Sequence, residues 1–236
     1  MSFRIAGAIL AALALAACGS PARTSLAPVQ GDSFLGNPNS TVTVYEYGAP
    51  TCPACKAWHD QFWAKMKSTY IDTNKIKFVF REFPSHNPPV DAAIFAIARC
   101  AGTDKDNGFF GVIDEAFARR DDIEKAAIAG AVIPALESLG GKFKLSAEQV
   151  HSCMDDPKMH QRIFDVQGMG AALGVNSTPT FVVNDKVQQD ATFDALSAQI
   201  VAAFAVPASP VTAPSAPAPA APAATPAPAA PAKPGQ

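Results

Sequence analysis

The feature that most constrains this 236-residue chain is Cys52-Pro53-Ala54-Cys55, two thiols set between a strand pattern and a helix pattern. Thr41 to Tyr47 is rich in β-branched and aromatic residues and runs into Gly48-Ala49-Pro50-Thr51, so it reads as a strand ending in a turn. Pro53 suits a first helical turn, and Ala54, Trp58, Phe62 and Met66 recur at one-turn spacing as an apolar face. Lys75 to Phe83 alternates, with Ile76, Phe78 and Phe80 on one side, and Pro84-Ser85 closes it. The result is a β-α-β unit with both cysteines at its strand-to-helix junction.

That position has chemical consequences. A free cysteine with a pKa of about 8.5 is mostly protonated at neutral pH, whereas disulfide exchange needs a thiolate. At a helix start, Cys52 meets unpaired backbone N–H groups and the positive end of the helix dipole, which favour the anion. Cys55, one turn inward, is expected to be the more buried, resolving thiol. Pro53 and Ala54 bring no side-chain donor, so backbone and dipole alone are expected to hold the thiolate. This predicts a milder oxidant than a CPHC sequence. The competing reading of a CxxC is a zinc half-site, but no second CxxC exists, and Cys100, Cys153, His59, His86, His151 and His160 are scattered. His59, one turn after Cys55, is expected to be solvated or a packing residue. No phosphate loop, nucleotide motif or Ser/His/Asp set appears, so neither metal nor organic cofactor is predicted. A formal net charge of -2 leaves no basic patch for nucleic acid.

Beyond the second strand the pattern is helical. Ala92 to Ala101 is densely apolar, Phe109, Ile113, Ala116 and Phe117 share a face, and Ile123 to Leu139 continues it. Ser146, with Gln149 three residues later, caps a further helix, and Met159, Ile163, Val166 and Leu173 form the next face. Strand character returns at Thr180 to Val183, Asn184-Asp185-Lys186 turns, and Phe193, Leu196, Ile200 and Phe204 give a last amphipathic helix. An all-helical insertion, about 88–172, thus sits inside an α/β frame.

The ends read differently. Arg4 precedes an apolar run from Ile5 to Ala17, too short for the roughly 20 residues that span a bilayer, so 1–17 reads as an export signal. Leu15-Ala16-Ala17-Cys18 resembles the lipobox of bacterial lipoproteins, which makes Cys18 a lipid anchor. Ala14-Leu15-Ala16 also satisfies an ordinary cleavage rule, which would release a soluble protein. Residues 18–31 read as a tether, 32–206 as the folded domain, and 207–236, almost entirely Pro and Ala, as a disordered tail. Export leaves Cys52, Cys55, Cys100 and Cys153 in an oxidising compartment, with local pairing of the first two favoured.

Several motifs together resemble the DsbA-like branch of the thioredoxin superfamily, over about residues 32–204. They are Phe34-Leu35-Gly36-Asn37-Pro38, the strand from Thr41 to Tyr47, Cys52-Pro53-Ala54-Cys55, Arg81-Glu82-Phe83-Pro84, and Gly174-Val175-Asn176-Ser177-Thr178-Pro179-Thr180-Phe181. The resemblance implies a thioredoxin-like fold and a cis Thr178-Pro179 peptide opposite the CxxC, although composition alone favours trans. It also implies that Thr178 pairs with an extended substrate strand, beside Pro53 and Ala54. By the same resemblance Glu46 is the buried acid beneath the site and a proton acceptor for Cys55. The alternative there is an edge-exposed glutamate.

Some DsbA-like proteins carry a second disulfide in the insertion, which implies a structural Cys100–Cys153 bond; two inert thiols or a regulatory pair are the competing readings. The implied activity is disulfide exchange with extracytoplasmic proteins that contain cysteines, on the periplasmic side of a bacterial envelope. A redox partner protein would reset the site, and the lipid at Cys18 would hold the chain to a membrane. Oxidase, isomerase and dedicated reductase directions all stay open. A different class of reading is a non-catalytic, holdase-like client-binding lipoprotein whose CxxC disulfide is only structural.

Overall fold

The computed structural model describes residues 31–103 and 108–205. The expected signal, Cys18, nearly all of the tether and the Pro/Ala tail lie outside them. Strands β1 (Ser33–Gly36), β2 (Thr43–Gly48), β3 (Lys77–Glu82), β4 (Thr180–Val183) and β5 (Lys186–Val187) form one mixed sheet in the order β1-β3-β2-β4-β5. β2 and β3 are parallel, joined by the helix that follows the CxxC, and the other pairings are antiparallel. A parallel pair needs such a crossover, which is why the β-α-β pattern was readable. β1 and β5 were not read as strands. They are short edge strands whose two to four residues give too little alternation to register.

Side chains alternate across the sheet. Val44, Phe78, Phe80, Phe181 and Val183 join the larger core. Tyr45, Tyr47, Val79 and Val182 form a second core with Val166 and Val175. Arg81 enters that second core fully buried. It is satisfied there by Tyr47 Oη at 2.7 Å and Asp32 at 3.0 Å, with its guanidinium 4.4 Å from the Tyr45 ring centroid. Buried Glu82 next along β3 accepts from Arg99 Nε at 2.6 Å and Arg162 Nε at 2.9 Å. A buried charge is tolerated only when paired in this way.

The helix after the CxxC begins as α1 (Pro53–Trp58), passes through a π-helical segment (His59–Trp63), α2 (Ala64–Met66) and a second π segment (Lys67–Ile71). Each π turn takes an extra residue and rotates the following side chains around the axis. The buried set is therefore Cys55, Trp58, His59, Trp63, Met66, Tyr70 and Ile71. This corrects the face expected from uniform spacing, because Ala54 is exposed and Phe62 only half-buried.

Between β3 and β4 run α3 (Pro88–Cys100), α4 (Phe109–Ala118), α5 (Arg120–Ile128), α6 (Val132–Lys142), α7 (Ala147–Met154) and α8 (Pro157–Ala172), and α9 (Phe193–Ala205) follows β5. The continuous pattern expected from Ile123 to Leu139 is two helices. Gly130 adopts a left-handed φ of +70° at the break, and Pro134 falls in the first turn of α6, where no N–H partner is lost. Ser146 and Gln149 form a reciprocal capping box at α7. Cys100 and Cys153 are bonded, joining the end of α3 to α7 with Cα atoms 6.2 Å apart. No helix among the described residues is long and apolar enough to cross a membrane.

Candidate active site

β2, the middle strand of the sheet, delivers the chain to the turn Ala49–Thr51 and then to Cys52, the N-cap of α1 with extended backbone angles. Pro53 at the first helical position costs no hydrogen bond. The Cys55 N–H donates to Cys52 Sγ at 3.2 Å, so a sulfur takes the role that a Ser or Asp oxygen plays in ordinary caps. Both cysteines are free thiols; Cys52 is 4% exposed and Cys55 fully buried.

Opposite them, the Thr178–Pro179 peptide is cis, and the Thr178 carbonyl oxygen lies 3.4 Å from Cys52 Sγ, placed to accept from its thiol. Pro53 and Ala54 are exposed beside this cleft. The Cys52 pKa is lowered from 9.0 to about 6. A hydrogen bond from the Cys55 thiol contributes most, opposed by burial and reinforced by the backbone at Cys55 and Ala54. The expectation that backbone and dipole alone hold the thiolate is corrected accordingly. Cys55 is pushed well above the ordinary thiol range by burial first, then by its bond to Cys52 and the charges of Cys52 and Glu46. The two thiols are thus driven apart: one ionises readily, the other stays protonated.

Glu46 is fully buried on the central strand, which removes the edge-exposed alternative. Both its carboxylate oxygens lie 3.2 Å from His59 Nε2. His59 is itself buried, its ring 4.1 Å from that of Phe117 and 5.0 Å from that of Trp63. The solvated or packing role expected for it is therefore incomplete, since it is the polar partner of the buried acid. Its position four residues after Cys55 was the available signal, because i and i+4 share a helix face.

Sequence reasoning also passed over Asp91 and Arg120. Asp91, in the first turn of α3, is fully buried. It accepts from the Thr51 N–H at 2.8 Å and the Ser85 N–H at 3.0 Å. Arg120 Nε donates to the Thr51 carbonyl at 2.8 Å. An acidic residue early in a helix ordinarily reads as dipole compensation, which hides such a contact. Among the described residues no group of three His, Cys, Asp or Glu side chains is arranged to hold a metal ion.

A CxxC on a helix start, faced by a cis-proline loop on a mixed sheet with a helical insertion, defines a thioredoxin-like, DsbA-like fold. The chain belongs to the thioredoxin family, whose model matches residues 29–202. It is similar to a Rickettsia bellii protein named "Putative protein-disulfide oxidoreductase", with 30% identity over 172 residues, covering 72% of this chain and 64% of that relative. The chain therefore spans less than two thirds of that relative's length. It is also similar to the Bacillus subtilis disulfide bond formation protein D, with 25% identity over 77% of this chain and 81% of the relative. Wolbachia pipientis alpha-DsbA1 shares the fold, with a TM-score of 0.67 and 22% identity over 76% of this chain and 94% of that one.

Proposed function

We propose that this chain is an extracytoplasmic thiol-disulfide oxidoreductase acting on proteins that contain cysteines. The observation that carries the reading is the asymmetry of the pair: Cys52 lowered to about 6 at the cleft, Cys55 buried and raised behind it. In the reducing direction the Cys52 thiolate attacks a substrate disulfide sulfur, forming a mixed disulfide and releasing one substrate thiolate. Cys55 then gives up its proton and attacks Cys52 Sγ, expelling the second substrate thiolate and closing the Cys52–Cys55 disulfide. Glu46, held by His59, is the acceptor of that proton, since its charge already acts on Cys55. In the oxidising direction the same steps run backwards, two electrons passing from substrate to the Cys52–Cys55 bond. Thr178, Pro179, Pro53 and Ala54 line the strip along which an extended substrate lies, Thr178 offering its backbone as a strand edge.

Export and lipidation at Cys18 would put the domain on the periplasmic side of the envelope, the tether 18–31 and the tail 207–236 flanking it. A separate protein would then reset the pair, and the Cys100–Cys153 bond is structural. The names of the Rickettsia and Bacillus relatives support the chemistry. The test is a Cys55→Ala trap: the full chain should accumulate mixed disulfides through Cys52 when offered protein substrates that carry disulfides, each releasing one substrate thiolate. Absence of trapped species, together with a potential below about -300 mV for the pair, would leave a structural disulfide in a client-binding protein.

A further inference from the structure

The mouth of the cleft is closed by a ring of hydrogen bonds that runs through one buried carboxylate. Thr51, the residue before Cys52, gives its N–H to Asp91 at 2.8 Å. The other carboxylate oxygen of Asp91 takes the Ser85 N–H at 3.0 Å. Ser85 Oγ accepts from Thr178 Oγ1 at 2.8 Å, and the Thr178 carbonyl is the group 3.4 Å from Cys52 Sγ. The circuit therefore ends on Cys52, the residue next to the Thr51 from which it started. Thr51 is further held by its Oγ1, which accepts from the Asn87 N–H at 3.0 Å, and by its carbonyl, which accepts from Arg120.

Burial of a carboxylate is costly unless its oxygens are hydrogen-bonded, and here both are taken by backbone N–H groups from two different loops. Burial nevertheless raises the Asp91 carboxyl to about 6, opposed by those N–H bonds and assisted by the charge of Cys52. A negative group is thus kept beside a sulfur that must itself become negative. Its two oxygens tie the thiol turn to the Ser85 loop, and the Ser85 hydroxyl carries the tie on to Thr178 of the cis-proline loop.

We propose that Asp91 is a positioning residue for substrate: through Thr51 and Ser85 it sets the register between Cys52 and the Thr178 strand edge that an extended cysteine peptide must span together. The proposal rests on the reading of Cys52 as the exchanging thiol. A small reagent such as glutathione touches only the sulfur and needs no such register, while a peptide lying along Thr178 does. The experiment compares the second-order rates at which the oxidised full chain reacts with glutathione and with an extended cysteine-containing peptide, in wild type, Asp91→Asn and Ser85→Ala.

Asp91→Asn should slow the peptide reaction about tenfold, the loss of one positioning hydrogen bond, while the glutathione rate changes by less than about twofold. Ser85→Ala cuts the circuit at an exposed side chain and leaves the Asp91 bonds in place, so it should show the same selective loss and decides the matter if Asp91→Asn does not fold. Equal slowing with both reagents, or none in either variant, overturns the proposal. A wild-type chain that reacts with neither reagent overturns instead the reading of Cys52, and the proposal with it.

Discussion

Removing the Cys55 thiol tests the electrostatics of the site at its largest contribution. With Cys52 lowered from 9.0 to about 6, pH 7 holds about ten thiolates per thiol, against about one per hundred for an unshifted group. The sign follows from the depressed value: stabilisation of the reduced site is complete above pH 9.0, at about 4 kcal/mol, and is lost as pH falls through about 6. At pH 7 about 1.4 kcal/mol of it remains, which makes the pair more oxidising by about 30 mV. In Cys55→Ala the first cause of the lowering is gone. A hydrogen bond to a charged acceptor is worth about 1.5–3 kcal/mol, so the Cys52 midpoint should rise by about one to two units. It should stay below 9.0, because the backbone at positions 54 and 55 still favours the anion. Alkylation rate against pH, followed in a Cys18→Ser background, reads this, since Cys100 and Cys153 are bonded and silent. A variant midpoint still near 6 would refute the assigned cause, and a wild-type midpoint near 9 would refute the whole account.

Other perturbations have equally definite outcomes. His59→Leu leaves the buried Glu46 carboxyl without its hydrogen-bond partner, which costs about 1–3 kcal/mol, to be read from urea unfolding of the reduced chain. A loss under 1 kcal/mol would mean that Glu46 has another partner. Cys100→Ala with Cys153→Ala opens a crosslink of sequence separation 53, which loop entropy values at about 4 kcal/mol; an unchanged denaturation midpoint would remove its structural role. Gly170→Ala would bring a Cβ to 3.1 Å from both the Phe83 and Tyr47 rings, and Tyr47 is held in place by Arg81, so overpacking of about 1–3 kcal/mol less the roughly 1 kcal/mol that Ala gains over Gly in a helix leaves a net loss of up to about 2 kcal/mol in thermal unfolding.

What could be read in the chain before any coordinates was what repeats locally. The β-α-β unit around the CxxC, the helix after Ser146 and the strand at Thr180 follow from alternation, one-turn spacing and capping within a dozen residues. The rotation of the α1 face escaped such reading because π turns depend on how the helix packs, not on the residues at its own spacing. Glu46 was suspected from the family resemblance, but its partner was not, because a histidine thirteen residues later belongs to another element. Asp91 is the extreme case. Its contacts reach 40 residues back to Thr51, and nothing in its local sequence separates it from an ordinary helix-start acid.

The helical insertion contributes three side chains to the candidate site. α3 carries Asp91 in its first turn, α4 supplies the Phe117 ring against His59, and α5 supplies Arg120 to the Thr51 carbonyl. None of these comes from the sheet or from α1, the helix that carries the thiols. α3 is fastened again at its far end, where Cys100 is bonded to Cys153 about nine residues and 13 Å beyond Asp91. A helix secured at both ends holds its first turn still, and that turn is what Thr51 and Ser85 hang from. The insertion disulfide and the mouth of the cleft are therefore two ends of one rod, so the geometry at Cys52 depends on packing that no thiol touches.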